Sequence, residues 1–221
     1  MARAEHGEEE LSLASRVAAE MRAMLTAGEF SPGQRLSEID MAQRFSISRN
    51  TLREVFRLLT SQGLLTYIPN RGVSVAAPDV SDVIDIYRAR AVIQNGAIRL
   101  ADPTHPAMAR MDELARESER ARDAGDWRRV GTLNMEFHRA MVALADSPRL
   151  SQGFDLVLAE LRLVFGQLDD GAHLHEPYIP MNAALVAALK AGDRAAALER
   201  MDAYLLKSER AVLAALQRRK G

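Results

Sequence analysis

Cysteine is absent from the 221-residue chain, which excludes disulfides and thiolate metal sites and gives no sign of an oxidising compartment. Aromatic residues are scarce, at 5%, so the core must be built from Leu, Ala, Val, Ile and Met, a mixture that suits packed helices better than a sheet sandwich. No apolar run approaches the roughly 20 residues that span a bilayer. The acidic stretch Glu5 to Glu10 lacks the basic region and apolar run of a secretion signal, so a cytoplasmic protein with no membrane partner is expected. A basic surplus is missing too. The formal net charge of -1 argues against general affinity for nucleic acid. Its distribution points the other way: between Ala42 and Ala76 stand Arg44, Arg49, Arg53, Arg57 and Arg71 against Glu54 alone.

What is present is enough chain for two domains. Residues 1–10 are expected to form a disordered tail. Leu11 to Ala27 carries Leu13, Val17, Met21, Met24 and Leu25 at helical spacing and stops at Gly28. Phe30 to Gly33 reads as a turn. Ser37 is a suitable cap for a second helix running to about Phe45, with Glu38 and Asp40 on the favourable side of its dipole. Ser48 is a suitable cap for a third, whose Leu52, Val55, Phe56 and Leu59 form an apolar stripe that ends at Gly63. Leu64 to Ile68 and Val73 to Val75 read as a hairpin closed by Pro69 to Gly72. The expected domain of residues 11–76 is therefore a winged helix-turn-helix of three helices and a hairpin. After a linker at 77–80, residues 81–221 read as an all-α bundle. Its expected helices are Val80 to Ala101, Pro106 to Ala124, Trp127 to Ala145, Arg149 to Asp169, Tyr178 to Ala191 and Arg194 to Lys220.

On the third helix Arg49, Asn50, Arg53 and Arg57 occupy an arc apart from the apolar stripe. Guanidinium forks suit guanine or phosphate, an amide suits adenine, and the hydroxyls of Ser48 and Thr51 suit backbone oxygens. Arg71 beside Gly72 at the hairpin tip could enter a minor groove. Glu54 is the odd member, better suited to orienting an arginine than to touching a base. A row of arginines at this spacing also describes an ordinary solvated helix face, and the preceding helix-turn is what favours DNA.

Four stretches carry a family resemblance: Pro32-Gly-Gln-Arg-Leu-Ser-Glu38, Met41 through Glu54, Leu58-Leu-Thr-Ser-Gln-Gly-Leu-Leu65 and Asn70-Arg-Gly72. They resemble the GntR family of winged-helix regulators. The resemblance implies a homodimer on palindromic double-stranded operator DNA, contacted through Arg35, Ser48, Arg49, Asn50, Thr51, Arg53, Arg57, Arg71 and Gly72. The helical region resembles the FadR-type (FCD) effector domain of one GntR subgroup, on Tyr87 to Gln94, Asn134 to His138 with Ser147 to Leu150, and Ala187 to Asp193.

Many members of that subgroup hold a divalent metal with an Asp and three His. Here the corresponding positions are Asn134, His138, Asn182 and Tyr204, so His138 alone remains a ligand. Amides and a neutral phenol supply neither the charge nor the soft donor that zinc or nickel favours, and a pocket without cofactor or metal is expected. His173 and His175 are the residues that could restore a metal site. Gln94 stands where the subgroup usually has Glu. The polar set Asn134, His138, Asn182 and Tyr204, with Arg90 and Arg162 as anion clamps, would suit a small carboxylate or another hydrogen-bonding effector. A self-satisfied network with water would use the same residues. The expected function is ligand-responsive repression of transcription. An enzyme is disfavoured, because paired carboxylates near a histidine, a phosphate loop and a nucleophile elbow are all missing.

Overall fold

The structure, a computed structural model, describes residues 12–168 and 174–220. The tail expected at residues 1–10 and His173 lie outside the described residues. The chain divides between Ala76 and Ala77 into two compact units.

In the first unit, α1 (Leu13–Ala27) begins where the Ser12 side chain accepts the Ser15 N–H, and ends with Gly28 left-handed at φ 79°. Its buried Val17, Met21 and Leu25 pack toward α3. Helix α2 (Glu38–Arg44) is capped by Ser37, and α3 (Arg49–Ser61) by Ser48. Between them Ser46 turns the chain with φ 52°. Leu52, Val55, Phe56 and Leu59 are all buried. Burying such a side chain contributes roughly 1.5–3 kcal/mol, so the stripe holds α3 firmly while its other arc stays in solvent.

The hairpin pairs β2 (Leu65–Ile68) with β3 (Gly72–Val75), and Asn70 takes the left-handed position in its turn at φ 62°. A third strand was not expected. Strand β1 (Arg35–Leu36) adds antiparallel to β3, with Arg35 opposite Ser74, giving the order β1-β3-β2. Two residues are too few for an alternating pattern, so only the pairing reveals this strand.

The second unit contains α4 (Val80–Leu100), α5 (Pro106–Asp123), α6 (Trp127–Ala143), α7 (Pro148–Phe165), α8 (Tyr178–Lys190) and α9 (Arg194–Lys220). Asp79 and Asp82 form a reciprocal capping box at the start of α4. Asp126 caps α6, and Ser147 caps α7 ahead of Pro148. Helix α6 contacts α4, α5, α7 and α8. Being enclosed, it buries polar residues along with its apolar ones, among them Asn134 and His138. No helix among the described residues is long and apolar enough to cross a membrane.

Candidate functional site

Arg35, Ser48, Arg49, Asn50, Arg53, Arg57 and Arg71 are exposed in the first unit, while Thr51 and Gly72 are half-buried. The two hydroxyls are engaged locally. Ser48 Oγ accepts the Thr51 N–H at 3.1 Å and lies 2.9 Å from Thr51 Oγ1, so this pair first serves to start α3. Arg44 belongs elsewhere, paired with Glu29 at 2.7 Å and lying over the Phe30 ring.

Glu38 is the carboxylate that orients arginines. Arg53 donates from Nε to its Oε1 at 3.3 Å and to Oε2 at 3.2 Å, while Nη2 lies 3.1 Å from Oε2. Arg49 Nη2 donates to the same Oε2 at 3.3 Å. These hydrogen bonds, Arg53's first, hold the Glu38 carboxyl below its ordinary 4.5 against a smaller opposing effect of burial. Glu54, expected to orient an arginine, forms no ion pair among the described residues. It follows Arg53 on α3 and so faces away from that arginine, whereas Glu38 reaches across from α2. The only sequence signal was Glu38 in the first turn of its helix, which an ordinary dipole effect explains equally well.

Two clefts border this face. Glu38, Arg53, Phe56, Arg57, Tyr67 and Val73 line one, between α3 and the hairpin. Arg35, Leu36, Glu38, Arg49, Gly72 and Val73 are among those lining the other. Gly72 is favoured by its left-handed φ of 83° and not by lack of space, since an added Cβ would make only ordinary contact, 3.8 Å from Arg35 Nη2.

The second unit gathers Asn134, His138, Asn182 and Tyr204, all buried, into one hydrogen-bonded cluster. Its polarity follows from Arg90, which can only donate. Arg90 Nε donates to Gln94 Oε1 at 3.3 Å, so the Gln94 amide nitrogen must face His138 Nδ1, 2.7 Å away. That nitrogen of His138 therefore accepts. The ring proton sits on Nε2 and is donated to Tyr204 Oη at 2.9 Å. Tyr204 in turn donates to Asn134 Oδ1 at 3.0 Å, which also receives Asn182 Nδ2 at 2.9 Å. Burial, then the charge of Arg90, pushes His138 well below its ordinary 6.5, in keeping with a neutral ring, and burial raises Tyr204.

Two features remain open in this region. Arg90 is buried, with its guanidinium over the Tyr87 ring at 4.8 Å, and pairs with no carboxylate among the described residues. Asn182 Oδ1 is buried without a hydrogen-bond partner. Arg162, expected as a second anion clamp, is placed by its neighbours on α6. It stands beside Gly131, one turn before Asn134 on α6, where an added Cβ would lie 3.2 Å from Nη1 and 2.9 Å from His175 Nε2. His175 is turned inward, its Nδ1 unpartnered, and burial followed by the charge of Arg162 lowers it to about 4.

This donor set does not fit a metal. Both ring nitrogens of His138 are engaged by neutral partners, and neither amide nor un-ionised phenol offers a charged ligand. Among the described residues no three His, Asp or Glu side chains come together where they could hold an ion, His175 included.

Residues 13–75 match the family described as "Bacterial regulatory proteins, gntR family", and residues 85–207 match the "FCD domain". The crystal structure of a putative GntR transcriptional regulator from Rhodococcus sp. RHA1 is similar, with a TM-score of 0.85 and 35% identity, covering 93% of this chain and 99% of that one. The Nta operon transcriptional regulator of Aminobacter aminovorans is 30% identical over 131 residues, 58% of this chain and 61% of that protein. The alignment thus spans about three-fifths of that relative's length. The transcriptional repressor GlaR of Escherichia coli K12 is 28% identical over 201 residues, 81% of this chain and 86% of that protein.

Proposed function

The chain belongs to the GntR family of bacterial regulatory proteins and carries an FCD domain, and from that premise we propose that it is a homodimeric transcription repressor released by a small-molecule effector. The observation that carries the DNA-binding part is the row Arg49, Arg53 and Arg57, exposed on a helix whose opposite flank is buried. A rigid helix presenting directed guanidinium groups, with Arg71 at the neighbouring wing, is what reading a major groove and its flank requires. Two copies on a palindrome would place one such helix in each half-site. The names of the relatives support regulation over catalysis, and GlaR's supports repression.

The effector site in this reading is the cluster around His138. A buried guanidinium without a carboxylate partner calls for an anion, and the buried Asn182 Oδ1 calls for a donor. A small carboxylate bearing a hydroxyl or amino group meets both demands. Release requires that the ligand favour one of two states of the protein; equal affinity for both would shift nothing.

The test combines Arg49→Ala with Arg53→Ala and measures binding to duplexes from the neighbouring genomic DNA over a range of salt concentration. Losing two cations from each protomer, four from the dimer, should flatten the slope of log K against log salt by up to about 3–4. An unchanged slope, or no binding by the parent protein at low salt, removes the DNA reading. Operator affinity that no candidate carboxylate alters removes the effector reading and leaves the DNA reading standing.

A further inference from the structure

We propose that Glu38 is a positioning residue for operator reading: its carboxylate fixes the angle at which Arg53 and Arg49 leave α3, and so sets sequence preference rather than affinity. The inference rests on the DNA-binding reading above. Its geometric basis is one carboxylate bridging two guanidiniums on successive turns of α3, through the contacts of 3.1–3.3 Å described above. The side chains of Arg49 and Arg53 remain 60% and 51% exposed, so the tether leaves their donor edges available.

Fold stability does not account for this arrangement, because exposed ion pairs contribute little to it. Raw affinity does not account for it either. Glu38 borders both clefts of the basic face, whose lining includes Arg35, Arg49, Arg53 and Arg57. A carboxylate there repels phosphate and weakens binding to every DNA alike. What it supplies is direction. An untethered arginine has many rotamers and can neutralise whichever phosphate is near, whereas a tethered one reaches base edges from a fixed origin. On a wrong sequence the two arginines cannot pay back the repulsion by making base contacts, so the same charge that costs affinity widens discrimination.

The experiment uses the full-length protein and two duplexes of equal length: the tightest one that the parent protein recovers from a random pool, and its scrambled counterpart. Binding of the parent, E38Q, R53A and the E38Q/R53A double variant is followed by fluorescence anisotropy at several salt concentrations. E38Q should bind the scrambled duplex more tightly, with a salt slope steeper by about 2 as a freed arginine in each protomer of the dimer takes a phosphate. Its ratio of selected to scrambled affinity should fall roughly tenfold, about the worth of one well-made side-chain contact to a base. In the R53A background the same change should alter that ratio clearly less than in the parent, because only the single 3.3 Å tether to Arg49 is left for Glu38 to act through. Glu38→Asp keeps the charge but shortens the reach, so it should leave scrambled binding unchanged and still lower the ratio.

A ratio within twofold of the parent's in E38Q overturns the inference. So does an undiminished loss in the R53A background, which would mean that Glu38 touches a base itself or acts through the fold. If the parent recovers no preferred duplex, the DNA-binding reading fails and this inference falls with it.

Discussion

Replacing Arg90 by Met should make the effector-free protein more stable. Arg90 is 2% exposed, and among the described residues it is compensated by neutral groups only, a hydrogen bond at 3.3 Å to Gln94 Oε1 and the ring and phenol of Tyr87. An unpaired ion inside a protein carries an effective desolvation penalty of several kcal/mol after relaxation. Met has similar length and no charge, so it removes that penalty and keeps most of the packing. Against the gain stand lost hydrogen bonding from a charged donor, about 1.5 kcal/mol at this long distance, and a lost cation–π contact, about 1–2 kcal/mol. The expected net is a stabilisation of about 1–2 kcal/mol, or a rise in Tm of about 2–8 °C for a chain of this size. The assay is thermal unfolding of the full chain with and without a panel of small hydroxy and amino carboxylates. Arg90→Met should melt higher than the parent when no ligand is present, and should lose any ligand-induced rise that the parent shows. If Arg90→Met instead melts several degrees lower, the guanidinium is a satisfied structural cation, and the argument that it is held in reserve for an anion is wrong.

Acidification should destabilise the protein through its buried histidines. His138 and His175 both lie below the ordinary 6.5, His175 at about 4, so the unfolded chain takes up more protons than the folded one as pH falls below 6.5. Stability is therefore complete above that pH and declines toward pH 4 by about 1.4 kcal/mol per histidine per pH unit. Glu160, raised by burial and by Asp82 and Asp85, works in the opposite sense. Urea unfolding at pH 7.5 and 5.5 should show a smaller loss for His175→Gln than for the parent, and an equal loss would contradict the inward placement of that ring. Restoring the subgroup's ligands with Asn134→Asp, Asn182→His and Tyr204→His should create a nickel- or zinc-dependent rise in Tm, by about 2.7 kcal/mol of stabilisation at a hundredfold excess over Kd. The parent should show no such rise. Gly131→Ala would gain about 1 kcal/mol of helix propensity at an open site. Here its Cβ would stand 2.9 Å from His175 Nε2, so a net loss of stability is expected, with His175 displaced and its NMR titration moving back toward 6.5.

Local chemistry explains why much of the first unit was legible. Ser37 and Ser48 cap the helices they precede, Gly28 closes α1 in the left-handed conformation, and the stripe from Leu52 to Leu59 is buried as its spacing requires. The two-residue strand at Arg35–Leu36 was invisible, because its existence depends on β3 lying alongside. In the second unit, helix ends differ from expectation by a few residues, as at Phe165 and Ala143, where fraying and short-range hydrogen bonds decide the last turn. The polar residues Asn134, His138, Asn182 and Tyr204 were recognisable as a set. Arg90 was expected beside them, but its link to His138 through Gln94, and the inward placement of His175 beside Arg162 and Gly131, were not legible.

The amino-acid order alone determined which helices form, which face of each is apolar, and which arginines line one exposed arc, since all of these depend on neighbours three or four positions away. Only the tertiary structure decided that Glu38 and not Glu54 holds those arginines, that Arg90 sets the direction of a chain of hydrogen bonds ending at Asn182, and that His138 carries its proton on Nε2. Each of those facts depends on atoms brought within about 3 Å from distant parts of the chain, and hydrogen bonding falls off too steeply with distance and angle for residue type to forecast it.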